Sequence, residues 1–186
     1  MAGTETGRQP TARDRWRAGR FRTTNGFAAS PGTTSMPLAA GDDAPTVTAP
    51  NQDGEAVTLA FEEPTVLYFY PKDETPGCTI EATQFQRERE TYRDAGVDVY
   101  GVSTDDVESH RSFCDAEGLE FDLLADPDAE IAEAFDVELR DGVTARTTFL
   151  LADGEVAAVY EGVDPDGHAR DVLLDALDDG LVTLPE

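Results

Sequence analysis

Lysine is almost missing from this chain: Lys72 is its single example in 186 residues. Fourteen Lys plus Arg stand against 39 Asp plus Glu, a formal net charge of −25 at pH 7. A surface of that sign repels nucleic-acid phosphates and anionic membranes, so no nucleic-acid or membrane partner is expected. Cysteine occurs twice, at Cys78 and Cys114, too few for a disulfide scaffold. Histidine also occurs twice, at His110 and His168, and with no third His and no cysteine cluster no metal site is expected. There is no run of 18 apolar residues, so no membrane span is expected. The N-terminus lacks the apolar centre of a secretory signal, and the arginines of Arg13-Asp14-Arg15-Trp16-Arg17 are not adjacent, so no twin-arginine signal is read either. A cytoplasmic location is the expectation. No recognisable Gly-rich phosphate loop is present, and no cofactor is expected.

The charge that is present is unevenly placed. Residues 1–35 hold six arginines and two acids, whereas residues 36–186 hold 37 acids and eight basic residues. The first stretch is rich in Gly, Thr, Arg and Ala with little apolar periodicity. We read residues 1–36 as a disordered basic extension, or an over-long translation start, because Met36 directly precedes the first patterned segment. Beyond it, acids are spread over every segment, which argues against an acidic tail. A dense, lysine-poor acidic shell suits solubility in high salt, where screening shortens to about 3 Å, and a halophilic source is expected.

Residues 37–186 suit one domain with a sizeable core. Asn51-Gln52-Asp53-Gly54 is a hairpin turn. Ala56 to Phe61 reads as a short strand, and Thr65 to Tyr70 as a central one. Gly77 to about Ala95 reads as a helix with Cys78, Ala82, Phe85, Arg89 and Tyr92 along one face, closed by Gly96. Val97 to Ser103 is the next strand, and a helix follows from about Asp106 to Glu117, stopped by Gly118. Ala129 to Phe135 is a short helix. Arg146 to Leu151 and Val156 to Tyr160 form a hairpin around Asp153-Gly154, and Gly167 to Asp179 is the last helix. This alternation predicts an α/β domain, a thioredoxin-like fold with a central mixed β-sheet and helices on both faces. Pattern alone does not separate it from other doubly wound folds.

The chemistry concentrates in Pro71-Lys72-Asp73-Glu74-Thr75-Pro76-Gly77-Cys78. It follows the apolar run Val66-Leu67-Tyr68-Phe69-Tyr70 and feeds a helix. Cys78 therefore falls at a helix N-terminus, where unpaired backbone N–H groups favour an anion and so favour thiolate. Cys114 lacks such a setting, and a small buried hydrophobe is a serious reading for it.

Pro-x-x-x-Thr-x-x-Cys after an apolar strand resembles the peroxidatic site of the peroxiredoxins. Tyr68 through Asp73 with Cys78-Thr79-Ile80-Glu81-Ala82 is similar to the branch called peroxiredoxin Q or bacterioferritin comigratory protein. Gly41-Asp42-Asp43-Ala44-Pro45, Gly101-Val102-Ser103 with Ser109-His110, and Arg146-Thr147-Thr148-Phe149-Leu150-Leu151 agree with it in order. The resemblance implies the thioredoxin-like fold and a thiol-dependent peroxidase for hydrogen peroxide and organic hydroperoxides. It implies Cys78 as nucleophile, Thr75 as a hydroxyl between sulfur and peroxide, Pro71 as a shield from water, and Arg146 as the cation that favours thiolate and binds peroxide. It also implies Glu81 as the carboxylate orienting Arg146, although an acid in a first helical turn equally complements the helix dipole. Many members carry a resolving cysteine five residues after the first, where this chain has Thr83. A sub-group places it in the next helix, which makes Cys114, 36 residues on, the candidate. The partners implied are a peroxide and a thioredoxin-like, glutaredoxin-like or small-thiol reductant, with the protein a monomer. A one-cysteine peroxidase and a peroxide sensor remain as alternatives. A thiol–disulfide oxidoreductase is weaker, because no Cys-x-x-Cys is present.

Overall fold

The structure, a computed structural model, describes residues 37–185. The expectation for residues 1–36 lies outside the described residues. Chain order is β1 (Val47–Pro50), β2 (Ala56–Leu59), β3 (Thr65–Phe69), α1 (Pro76–Asp94), β4 (Asp98–Ser103), α2 (Val107–Glu117), β5 (Asp122–Ala125), α3 (Glu130–Ala134), β6 (Leu139–Arg140), β7 (Val143–Thr144), β8 (Thr147–Ala152), β9 (Glu155–Glu161) and α4 (His168–Asp178). Five strands form the central sheet in the order β5-β4-β3-β8-β9. β3, β4 and β5 run parallel, and β8 and β9 join antiparallel, so the sheet is mixed.

Alternation along β3 assigns the two faces. Val66 and Tyr68 pack with Ala82, Phe85 and Tyr92 of α1, Phe113 of α2 and Val172 of α4. Leu67 and Phe69 face the other way, onto Ile131 and Ala132 of α3, Phe135, and Val47 and Ala49 of β1. Both faces are thus covered, which is why β3 is buried at every position. Tyr68 stacks on Phe85 with centroids 4.6 Å apart. Gly101 on β4 makes room for that ring: a Cβ there would lie 2.8 Å from the Tyr68 hydroxyl and 2.6 Å from Leu123.

Boundaries differ from the sequence expectation in instructive places. β2 stops at Leu59, and Phe61 instead takes φ 55° and buries its ring against Phe135. The buried stripe of α1 includes Glu81, while Arg89 is only part-buried and pairs with Glu120 at 3.3 Å. Asp106 is the cap of α2, its carboxylate accepting from the Ser109 amide, and Gly118 ends that helix with φ 66°. The β6–β7 hairpin was not expected; Asp141 and Gly142 turn it, both at positive φ. Arg146 lies one residue before β8 rather than within it.

Candidate active site

β3 ends at Phe69, and Tyr70 carries the chain off the sheet edge with its amide still bonded to Val102 O at 3.1 Å. Thr144 fixes the same residue by donating its hydroxyl to Tyr70 O at 2.8 Å. Pro71 follows, then a tight turn in which Glu74 adopts φ 61°. Thr75 is the extended residue before α1, and Pro76 opens the helix, a position where its missing N–H costs nothing. The first helical bond at this turn runs from Thr79 N–H to Thr75 O at 2.9 Å. Gly77 and Cys78 therefore precede it, and their amides have no partner within the helix. The Thr75 hydroxyl does not cap the helix. It donates to Lys72 O at 3.0 Å, which leaves its lone pairs as acceptors.

Cys78 is 1 % exposed. Arg146 Nη2 donates to its Sγ at 3.4 Å, and Nη1 donates to Glu81 Oε2. Glu81 is one helical turn beyond Cys78, so both side chains reach the same guanidinium. Cation and sulfur meet because Gly77 has no side chain: a Cβ there would stand 3.2 Å from Arg146 Nη2. Burial opposes the Arg146 charge, but Glu81 and Cys78 outweigh it and hold the guanidinium firmly protonated. Burial pushes the Glu81 carboxyl up to about 7 against the pull of Arg146. Its Oε1 is buried without a partner. Pro71 and Arg146 share the wall of an open groove of about 1030 Å³ with Pro37, Leu139 and Thr144.

Cys114 has the opposite surroundings. It is 7 % exposed, and burial together with Asp73, Asp115, Asp122 and Asp53 pushes its thiol up to about 12. No cation touches it in any contact found among the described residues. His168 opens α4, and its Nε2 lies 2.8 Å from Thr148 Oγ1. Burial lowers its pKa to about 4, so the ring is neutral. Among the described residues no group of three or more His, Cys, Asp or Glu side chains could hold a metal ion, and no helix is long and apolar enough to cross a membrane.

The structure thus brings Cys78, Glu81 and Arg146 into contact, with Thr75 and Pro71 on the adjoining turn, and puts Cys114 on a different helix. Three contributors were not anticipated. Gly77 clears space for Arg146, Thr144 pins Tyr70, and Asp73 accepts hydrogen bonds from Tyr70 and His110. The Asp73 signal was available in part, since it stands inside the turn motif.

The AhpC/TSA family profile matches residues 40–159. The chain belongs to that family. Peroxiredoxin Bcp of Escherichia coli is 41 % identical over 152 residues, spanning 76 % of this chain and 96 % of that one. The solved structure of Xanthomonas campestris peroxiredoxin Q matches with a TM-score of 0.71 and 34 % identity, over 76 % of this chain and 98 % of that one. Two serine variants of the Xanthomonas protein replace cysteines 36 residues apart. A structure of the bacterioferritin comigratory protein of the same organism, described with alkyl peroxide reduction activity, matches with a TM-score of 0.70 and 33 % identity over 76 % of this chain and 99 % of that one. This peroxiredoxin has the thioredoxin fold of the family and is a thiol-dependent peroxidase.

Proposed function

We propose that Cys78 is the peroxidatic nucleophile and that Arg146, Glu81, Thr75 and Pro71 build its site. One observation carries this assignment: among the described residues Cys78 meets a cation, at 3.4 Å, whereas burial and the negative charge of nearby carboxylates push the Cys114 thiol up. The Cys78 thiolate attacks one peroxide oxygen. The S–O bond forms as the O–O bond breaks, and the leaving oxygen departs as water or an alcohol once protonated. Sulfur is oxidised to sulfenic acid and the peroxide is reduced. Arg146 stabilises charge on the thiolate and on the peroxide oxygens, with Glu81 fixing its orientation. The Thr75 hydroxyl accepts from the peroxide O–H, since its own proton is committed to Lys72 O. The open groove beside Arg146 has room for the carbon chain of an organic hydroperoxide as well as for hydrogen peroxide, in keeping with the alkyl peroxide reduction described for the Xanthomonas protein.

Cys114 is the resolving thiol in this proposal. It attacks the sulfenic sulfur, water leaves, and the resulting disulfide is returned to two thiols by a thioredoxin-like, glutaredoxin-like or small-thiol reductant. The separation of 36 residues between Cys78 and Cys114 equals that of the two substituted Xanthomonas cysteines. Two free thiols suit a reducing compartment, and a cytoplasmic monomer in a salt-rich cell completes the picture. The deciding experiment is peroxide treatment of the reduced protein followed by mass mapping of sulfur linkages. A Cys78–Cys114 disulfide is expected. Sulfenate or sulfinate on Cys78 with Cys114 still free makes it a one-cysteine peroxidase or sensor, and an unchanged Cys78 overturns the assignment.

A further inference from the structure

Between β9 and α4 the chain makes the turn Gly162-Val163-Asp164-Pro165-Asp166-Gly167. Both of its ends are tied. At the start, the Gly162 N–H donates to Arg146 O at 3.1 Å. At the end, the Gly167 N–H donates to Gln84 Oε1 at 2.6 Å, and Gln84 Nε2 donates to Asp166 Oδ1 at 2.5 Å. A backbone N–H only donates and a carboxylate only accepts, so these two bonds fix which way the Gln84 amide points. Inside the turn the Asp164 carboxylate accepts from the Asp166 N–H at 3.0 Å, which stiffens the segment around Pro165. Gly167 takes φ 87°, the left-handed conformation that lets the chain swing from the turn into α4.

Pro165 stands between the two anchors. A Cβ on Gly77 would lie 3.7 Å from the Pro165 Cγ and 3.2 Å from Arg146 Nη2. Gly77 directly precedes Cys78, and Gln84 lies seven residues beyond Gly77 on α1, about 10 Å along the helix. The turn therefore runs from the level of Gln84 back to the start of α1. It sets a rigid ring beside the backbone from which Cys78 projects. Gly162, at its other end, lines the open groove together with Pro71 and Arg146. The turn is thus a wall of the Cys78 site, continuous with the groove, and the Cys78 side chain behind it is 1 % exposed.

We propose that Gln84 is a positioning residue: by clamping the end of this turn to α1 it holds Pro165 against Gly77, screens Cys78 from bulky reagents on that side, and steadies Arg146 through its carbonyl. Peroxide then enters by the groove. The part of this that concerns peroxide rests on Cys78 being the peroxidatic nucleophile, and the wall itself does not.

Two reactions of the full chain test it. The first is alkylation by iodoacetamide, mapped by mass at both cysteines. The second is oxidation of Cys78 by hydrogen peroxide, followed by stopped flow. Gln84→Ala is expected to raise Cys78 alkylation about tenfold, the scale of one or two lost hydrogen bonds, and to slow oxidation several-fold. Cys114 is the internal reference. It lies on α2, so release of the turn leaves its alkylation unchanged, whereas a general loosening exposes both thiols. Gln84→Glu alone sets two carboxylates against each other and should match Gln84→Ala or exceed it. Adding Asp166→Asn reverses donor and acceptor, because the carboxylate at 84 accepts from the Gly167 N–H and from the amide at 166. That double variant should bring both rates to within about twofold of the parent. Unchanged Cys78 alkylation in Gln84→Ala, an equal rise at Cys114, an unchanged oxidation rate, or a double variant no better than Gln84→Glu overturns the assignment. If hydrogen peroxide leaves Cys78 of the parent unaltered, the peroxidatic reading fails, and the alkylation ratio still decides whether Gln84 holds the wall.

Discussion

Arg146 holds Cys78 and Glu81 with separate nitrogens of one guanidinium, Nη2 on the sulfur at 3.4 Å and Nη1 on the carboxylate. A planar fork does this and an ammonium does not. Arg146→Lys keeps the charge but leaves one of the two contacts unmade. The rate of Cys78 oxidation, followed by stopped flow under excess peroxide, is expected to drop about 10²-fold, in the range seen when one charge-stabilising donor is removed. Arg146→Met should drop it further. Equal rates in the lysine variant and the parent would show that charge alone matters at this position.

Glu81 gives that rate a pH dependence. Burial raises its carboxyl to about 7, above the ordinary glutamate value near 4.5. The sign follows from which form holds Arg146. Above about pH 7 the carboxylate anchors the guanidinium, and below it the neutral acid does so less firmly, so the oxidation rate should fall on the acid side of a limb near 7. For stability the sign is opposite. A raised folded pKa makes the protonated form favourable in the fold, so the Glu81 contribution is most favourable below pH 4.5 and is lost as pH rises through 7. Glu81→Gln should remove the limb from the oxidation profile while lowering the rate above it. A limb of unchanged position in the glutamine variant would assign it elsewhere.

Gly101 tests the packing beneath the site. A methyl at that position meets Leu123 at 2.6 Å and the Tyr68 ring and hydroxyl at 2.8 Å, and both are fully buried. Neither ring nor leucine has space to retreat, since Tyr68 already stacks on Phe85 of α1. Gly101→Ala is expected to destabilise by about 1–3 kcal/mol, the usual range for overpacking. Urea unfolding monitored by circular dichroism measures it, and a midpoint equal to that of the parent would show that α1 shifts freely on the sheet.

The parts of this architecture that were legible in the sequence share one property: they are set by local rules. The strand Thr65 to Tyr70, the helix holding Cys78, the Gly118 stop and the Asp153-Gly154 hairpin each follow from apolar period or turn chemistry within a few residues. The motif around Cys78 pointed to Arg146, 68 residues away, only through family resemblance. What escaped depended on distant neighbours. Asp73 lies in a polar turn, yet it is buried, with the Tyr70 and Ser109 hydroxyls donating to its carboxylate and His110 Nδ1 at 2.8 Å. For Glu81 the sequence left two readings open, orienting Arg146 as the resemblance implies or complementing the helix start; it is 0 % exposed and accepts from Arg146 Nη1. Gly77 gave no signal beyond its type, since the need for space arises from a side chain far along the chain. The β6–β7 hairpin was missed because two-residue strands carry no period.

The acidic surface should make the fold dependent on salt. Residues 36–186 carry 37 acids against eight basic residues, so few carboxylates have a cation to face. Among the described residues, three of these eight are seen in ion pairs: Arg146 with Glu81, Arg140 with Glu138 and Arg89 with Glu120. The last two lie at the surface, where such pairs contribute little in any case. Repulsion among the remaining acids acts over about 10 Å at 0.1 M salt and about 3 Å at 1 M, so added salt weakens it across most of the surface. Because folding brings these charges together, screening stabilises the folded state more than the extended chain. The thermal midpoint is expected to rise by several degrees or more between roughly 0.1 M and 2 M potassium chloride, in step with retention of peroxidase activity. Potassium chloride is the suitable salt, since sulfate would also strengthen apolar burial. A midpoint that stays level across that range would mean the acids are spaced widely enough not to repel, and the inferred halophilic source would lose its support.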